Sequence, residues 1–379
     1  MLPDPLILRR ELHMHPELSG EEQETAQRIA GWLHEWGGCR IISGLGGHGL
    51  AAVYEGSQPG PALLFRAELD ALPIAEENDF TYRSRIKDVA HKCGHDGHMA
   101  VLLAFAQRLV EQPPACGKVI LLFQPAEESG EGAMQVLKDP AFKPLEPDWA
   151  FSFHNLPGYP LHQLVWREGP FTAAARSLII RLRGKTSHAA EPENGINPAE
   201  AIAELIQFLG RLKNEDLASN DFALITPIYI HMGDKAYGTS AGEGELHLTI
   251  RTWTEKNMKS LTEKLEKAVT QTARKYGLEY ELEWLHVFHT NRNDKTAVDI
   301  IRKAAHSLGY EQWERKVPMK WGEDFGAFSQ RFKGAMFGIG AGKNCPALHN
   351  PDYDFPDEII ETGANLFEEI MNLILNPKS

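Results

Sequence analysis

Three unbroken apolar runs punctuate the first half of the chain: Ala62-Leu63-Leu64-Phe65, Val119-Ile120-Leu121-Leu122-Phe123 and Trp149-Ala150-Phe151. Runs of this length without polar alternation predict strands buried on both faces, as in a parallel sheet covered by helices. Their predicted bounds are 61–66, 118–123 and 148–154. Between the first two, Met99 to Leu109 predicts a helix, so the order is β-α-β and the sheet is mainly parallel. Upstream, Leu6 to Gly37 predicts two helices broken at Pro16 and at Ser19-Gly20-Glu21-Glu22. Ser19 and Glu22 form a capping box for the second helix. Cys39 to Ser43 and Leu50 to Tyr54 predict strands around a glycine turn.

Near Arg176 the pattern changes. Leu246, Leu248 and Ile250 alternate with Glu245, His247, Thr249 and Arg251, the mark of a strand with one wet face. Further strands are predicted at 177–183, 222–231 and 278–286, with helices from Pro198 to about Leu212 and from Thr254 to Tyr276. The order β-α-β-β-α-β is that of a ferredoxin-like unit. After Asn291 the first pattern resumes: a helix from Thr296 to Leu308, a turn at Trp321–Phe325, a strand at Ala335–Gly340 and a last helix from about Asp357. The prediction is an α/β fold in which residues 1–175 and 289–379 form one discontinuous domain with helices on both sheet faces. Residues 176–288 form the inserted domain. A length of 379 residues, beyond the size at which one core keeps growing, agrees with two domains.

Composition narrows the function. The chain is 42% hydrophobic and 24% charged, with a net charge of −13 and no basic stripe, which argues against a nucleic-acid partner. The apolar runs are too short to span a bilayer. The start, Met1-Leu2-Pro3-Asp4-Pro5, has neither the basic nor the apolar region of a secretory signal. Four scattered cysteines make no disulfide framework and fit a reducing cytoplasm.

Chemistry concentrates in His91-Lys92-Cys93-Gly94-His95-Asp96-Gly97-His98, where loop meets helix. Histidine, thiolate and carboxylate are all transition-metal donors, and a helix N-terminus favours the thiolate. The predicted strands deliver more such groups to their carboxyl ends, where α/β sheets gather catalytic residues. Glu68 and Asp70 follow the first, Glu127 and Glu128 the second, and His154 ends the third. His349 follows the strand at Ala335–Gly340 through a loop. In an extended segment Glu127 and Glu128 would point to opposite sides, one to a metal and one to a water. Two other motifs are set aside. Gly44 to Gly49 matches a dinucleotide fingerprint, but a strand follows where a helix is needed, so a hairpin is expected. Gly238 to Gly242 matches a nucleophile elbow, again with a strand following.

Taken together, these segments resemble the aminoacylase and carboxypeptidase superfamily of dinuclear metallopeptidases, most closely its N-acyl-amino-acid amidohydrolases, which include indole-acetyl-amino-acid and hippurate hydrolases. The likeness runs from Arg9-Arg10-Glu11-Leu12-His13 through Arg66 to Pro73, His91 to His98, Gln124 to Glu128 and Gly184 to Ala189, ending at Leu348-His349-Asn350-Pro351. It implies two divalent ions, zinc or manganese with nickel or cobalt as alternatives, bridged by Cys93. Glu128 and His349 would complete one ion, and His95 and His154 the other. Glu127 would be the general base, with Glu68, Asp70 and Asp96 in support. His188, on the inserted lid and dimerisation domain, would reach a partner subunit's site and help stabilise an oxyanion, making a homodimer the working unit. The implied reaction is hydrolysis of an N-acyl or N-aroyl amino acid by a metal-activated water. The alternatives are a dipeptidase or carboxypeptidase on the same scaffold, or a metal-binding protein without catalysis. The chain departs from the branch at Glu68, which usually is aspartate. It also departs at Tyr237-Gly238-Thr239-Ser240-Ala241, which lacks the usual asparagine, and at Glu191-Pro192-Glu193. These departures bear on the substrate pocket.

Overall fold

A computed structural model describes residues 2–375. The chain divides into two compact units: Met1–Phe171 with Asn291–Lys316 and Glu323–Ser379, and Thr172–Thr290 with Val317–Gly322. In order, the first stretch holds helices α1 (Pro5–Met14) and α2 (Gln23–Trp36) and strands β1 (Arg40–Leu45), β2 (Gly49–Glu55) and β3 (Gln58–Glu68). It continues with α3 (His95–Glu111), β4 (Cys116–Gln124), α4 (Gly132–Lys138), β5 (Trp149–Leu156) and β6 (Leu164–Trp166). The second unit contributes β7 (Ala174–Arg183), α5 (Ala199–Leu212), β8 (Ala223–Met232), β9 (Glu243–Thr252), α6 (Glu255–Tyr276) and β10 (Glu279–Phe288). The chain then returns to the first unit with α7 (Lys295–Ser307), β11 (Gln312–Glu314), α8 (Gly326–Ser329), β12 (Lys333–Gly340) and α9 (Ile359–Leu375).

The first unit is built on an eight-stranded sheet in the order β1-β2-β4-β3-β5-β12-β6-β11. Its centre, β4-β3-β5-β12, is parallel throughout. The apolar runs explain this. Leu63, Leu64 and Phe65 are fully buried, as are Val119 to Phe123, so both faces of these strands are covered. Phe65 meets Phe105 of α3 edge-on and Phe367 of α9, and each such side chain contributes about 2–3 kcal/mol by leaving water. The stretch at Gly44–Gly49 is the expected antiparallel hairpin of β1 and β2. The three-residue strands β6 and β11 are too short to show in an apolar pattern.

Two local expectations fail. Ser19 and Glu22 do not cap α2. The Ser19 hydroxyl donates to Asp70 at 2.7 Å, and the Glu22 carboxylate accepts from the Ala126 N–H at 2.7 Å. The first N–H groups of α2 turn instead to Glu17, which accepts from Thr25 N at 2.7 Å and from Glu24 N at 3.2 Å. The would-be cap is drawn into the rim of the sheet. Likewise α3 begins at His95 rather than Met99, because Gly94 takes a left-handed conformation, with φ of 91°, and starts the helix early.

In the second unit, β8-β9-β7-β10 form one antiparallel sheet. By order of appearance the strands lie 2-3-1-4, the ferredoxin-like arrangement. Leu246, Leu248 and Ile250 of β9 point into the core with α5 and α6, as the alternation predicted. Thr254 caps α6 by accepting from Asn257 N at 3.2 Å, and Gly277 ends it with φ of 67°. Among the described strands β8 pairs with β9 alone, and beyond a single bridge from Ala223 to Asn214 its outer edge is open.

Candidate metal centre

The parallel register brings the donor residues to one rim. Glu68 lies opposite Gln124, so β3 and β4 end level, and His154 lies opposite Gly338 on the neighbouring strand pair. Cys93 sits just before α3, and the His349 N–H donates to the Lys92 carbonyl at 2.8 Å, pinning the late loop beside it. His349 has a φ of 66° and Ala126 a φ of 53°. Such left-handed non-glycine residues cost of order 1–3 kcal/mol and persist where the surroundings hold them.

Five three-donor groups result among the described residues, each with its ligand atoms within 4.8 Å of one another, and two of them share Cys93. Cys93, Glu128 and His349 form one, and Cys93, His95 and His154 the other. The Cys93 sulfur lies 3.5 Å from His154 Nε2, and His349 Nε2 lies 3.5 Å from Glu128 Oε1. Glu127 and Glu128 stand in a turn rather than an extended strand. They therefore do not point to opposite sides as expected: both carboxylates come within 4.0 Å of His95 Nε2. That nitrogen and Glu128 Oε1 are buried yet have no hydrogen-bond partner. Buried polar atoms rarely go unpaired, and donors that converge unpaired fit a divalent cation. Thiol, imidazole and carboxylate together are the chemistry of a transition-metal site.

Electrostatics point the same way. Burial pushes the Cys93 thiol well above its usual range, and Glu128 and Glu127 push it further. The helix N-terminus does not outweigh them, so the thiolate expected from sequence requires cationic charge nearby. Burial lowers the His95 imidazole, but hydrogen bonding to Asp70 and the charges of Glu68, Asp70 and Glu128 outweigh it and raise it to about 10. Burial, with His98 beside it, holds His154 well below its usual range, which keeps it a neutral donor. Burial raises Glu127, and Glu323 and Glu128 add to the effect.

Behind the donors stands a layer of buried polar bonds. Asp70 accepts from Ser19 and, at 2.9 Å, from Glu128 N, while its carbonyl takes His95 Nδ1 at 2.8 Å. His154 Nδ1 meets the Asn155 carbonyl at 2.9 Å. Each bond fixes a ring so that the other nitrogen faces the site. Glu68 bonds Arg66 and His98, and His98 bonds Asn155 on its other side, so neither ring nitrogen of His98 is free. Asp96 is directed elsewhere, to Arg9 Nε at 2.9 Å and His13 Nδ1 at 2.8 Å. His91 joins no donor group; burial drives it down to about 3. Gly94 and Gly97 allow the close fit. A Cβ on Gly94 would lie 2.9 Å from Asn155 Oδ1, and one on Gly97 would lie 2.2 Å from the Phe355 ring.

Sequence reasoning missed Arg66, Gln124, Asn155, Glu323 and Asp324 as contributors. Arg66 is fully buried and bonds Glu68, Glu323, Asp324 and Gln124. A charged residue inside the apolar run of β3 was the available signal. His188 lies in the second unit, exposed, on a two-residue strand that pairs with Thr239–Ser240. The Gly238–Gly242 stretch is thus a strand-forming loop and not an elbow. The His188 strand and the unusual 237–241 segment are one structural piece, joined also by the Ala189 N–H to the Gly238 carbonyl at 2.9 Å.

Known proteins are similar to this chain in sequence and fold. A model of "Peptidase family M20/M25/M40" matches residues 64–373. N-acetylcysteine deacetylase of Bacillus subtilis (strain 168) is 29% identical over 369 residues, 97% of this chain and 96% of the relative. N-acetyl-L-cysteine deacetylase of the same strain is 31% identical over 371 residues, 97% of this chain and 87% of the relative. A Bacillus subtilis crystal structure described as a dinuclear metal binding peptidase from the M20 family superposes with a TM-score of 0.83 at 27% identity, covering 99% of this chain and 98% of that one. The chain belongs to the M20/M25/M40 peptidase family and is a hydrolase.

Proposed function

We propose that the protein hydrolyses the amide bond of N-acyl amino acids with a pair of divalent metal ions. The observation that carries this reading is that Cys93 belongs to two three-donor groups at once. Glu128 and His349 complete the first group and His95 and His154 the second, with Glu68 and Asp70 supporting from behind. A divalent pair held there supplies Lewis acidity and brings a water's pKa towards about 7. Glu127 takes a proton from that water as it attacks the acyl carbonyl, then passes it to the leaving nitrogen. Thiol and imidazole donors suit zinc, while the carboxylates also admit manganese.

The inserted unit, taken from about 176 to 288, acts in this reading as a lid and dimerisation domain. Its open β8 edge supports that role: Ile228, Tyr229, Ile230 and Met232 are 60%, 48%, 50% and 40% exposed. Exposed apolar edges invite strand pairing with a second copy. His188 would serve the partner's site as an oxyanion donor, a role typically worth about 3–4 kcal/mol. The acetyl group leads the substrate list, because relatives of this chain are named for deacetylation of N-acetylcysteine. The four free cysteines suit a cytoplasmic setting.

The test is a hydrolysis panel of N-acetyl amino acids, N-benzoylglycine and dipeptides with zinc- or manganese-loaded protein. Acyl amino acids are expected to turn over, with Glu127→Gln abolishing the rate while metal stays bound. Turnover of dipeptides alone would assign the chain to the peptidase side of its family. A Glu127→Gln protein as fast as wild type would remove the base from the mechanism.

A further inference from the structure

Behind Glu127 lies a buried polar cluster that the proposed reaction does not use. Arg66 is its pivot. Its Nε donates to Gln124 Oε1 at 3.0 Å, and its terminal nitrogens reach the carboxylates of Glu68, Glu323 and Asp324. Asp324 is held on further sides. Gln124 Nε2 donates to its two oxygens at 3.0 and 2.8 Å, and the Ala133 N–H donates at 2.8 Å. These bonds fix the backbone of the turn. The Asp324 N–H then donates to Glu127 Oε1 at 3.3 Å, while Glu127 Oε2 faces His95 Nε2 at 4.0 Å. One oxygen of the glutamate is tied to the turn, and the other is turned towards the donor groups.

The tie has a physical task. Carboxylate oxygens of Glu127, Glu323 and Asp324 lie within 4.8 Å of one another in a buried setting. Like charges so close repel strongly at low dielectric. Without a hold, the Glu127 side chain would relieve the repulsion by turning away. Arg66 offsets the charge, and the Asp324 N–H supplies direction.

We propose that Asp324 is a positioning residue for Glu127: its carboxylate, clamped by Arg66, Gln124 and the Ala133 N–H, locks the turn whose N–H sets the Glu127 carboxylate. This rests on reading Glu127 as the base. In this reading Asp324 acts through Glu127 and not on the substrate. A displaced base slows proton removal without loosening the grip on substrate, so the effect falls on kcat.

The experiment compares Asp324→Asn, Gln124→Ala, Glu127→Gln and the double variant Asp324→Asn/Glu127→Gln, each loaded with metal. Asp324→Asn keeps the shape but loses the charge and sets an amide N–H2 against donors. Its kcat is expected to fall about 10- to 100-fold with KM within about 3-fold of wild type and metal content per chain unchanged. Gln124→Ala removes one clamp and should move kcat the same way by less. In the Glu127→Gln background, Asp324→Asn should change the residual rate by less than about 2-fold, because coupled residues are not additive. The proposal is overturned if Asp324→Asn leaves kcat within about 2-fold, if metal content falls in step with kcat, or if the residual rate of Glu127→Gln drops by the same factor. Should Asp324→Asn fail to fold, Gln124→Ala alone and with Glu127→Gln decides by the same criteria. Wild-type turnover in Glu127→Gln would sink both this proposal and the base assignment. An inactive Glu127→Gln beside a fast Asp324→Asn would sink this one alone.

Discussion

At the scale of single residues, the shared thiol makes the sharpest claim. Cys93→Ala removes a donor from both groups at once, so metal analysis after dialysis is expected to find neither ion. His349→Ala touches one group, and about one ion per chain should remain. One retained ion in Cys93→Ala would mean that sulfur does not bridge. The candidate donors come from a cysteine and histidine cluster where a loop enters a helix, and from glutamates and a histidine that follow strands; the resemblance alone grouped them into two ligand sets. The residues that hold them were not legible in the sequence. Glu323 and Asp324 fall in a predicted turn with no role read for them, and only the fold brings Arg66 to them. Glu127 and Glu128 were read as extended, and only the left-handed Ala126 turns both towards His95.

At the scale of elements, α3 is the piece on which the centre depends. Its first turn carries His95, and its entry needs glycine at two places. Gly97→Ala would drive a Cβ to 2.2 Å from Phe355, and overpacking of this kind costs about 1–3 kcal/mol. The expected outcome is a lower Tm together with weaker metal retention, since the same turn presents the donor. Calorimetry with and without chelator checks both. At α2, Glu17→Ala should cost about 1 kcal/mol as a lost cap, whereas Ser19→Ala should act through Asp70 instead. The strands were legible because buried parallel strands write themselves as unbroken apolar runs. The start of α3 was not, because its first turn spends its residues on chemistry rather than on apolar periodicity.

At the scale of the whole molecule, pH acts through a second buried network. Glu76 is lowered from 4.5 to about 2: burial opposes this, but hydrogen bonds from His13 and Lys92 outweigh it. His13 is raised from 6.5; burial works against it and Asp96 prevails. A lowered carboxylate stabilises the fold above about 4.5 and loses that contribution as pH falls towards about 2. A raised imidazole stabilises below about 6.5 and loses its contribution as pH rises through the folded value. Denaturant unfolding should therefore find Glu76→Gln destabilised most above about pH 4.5, with the gap closing in acid. A gap independent of pH would show that charge plays no part. Assembly is tested at the β8 edge: Ile230→Lys is expected to shift the mass seen by light scattering from dimer to monomer.

The discontinuity of the first unit also governs when the centre can form. Cys93, Glu128 and His154 are synthesised before the insertion, while His349 emerges near the end and clips onto the Lys92 carbonyl. A chain without that loop lacks the Cys93–Glu128–His349 group but keeps the residues of the Cys93–His95–His154 group. In the proposed reading, a fragment truncated before His349 is expected to hold about one ion per chain and to be inert.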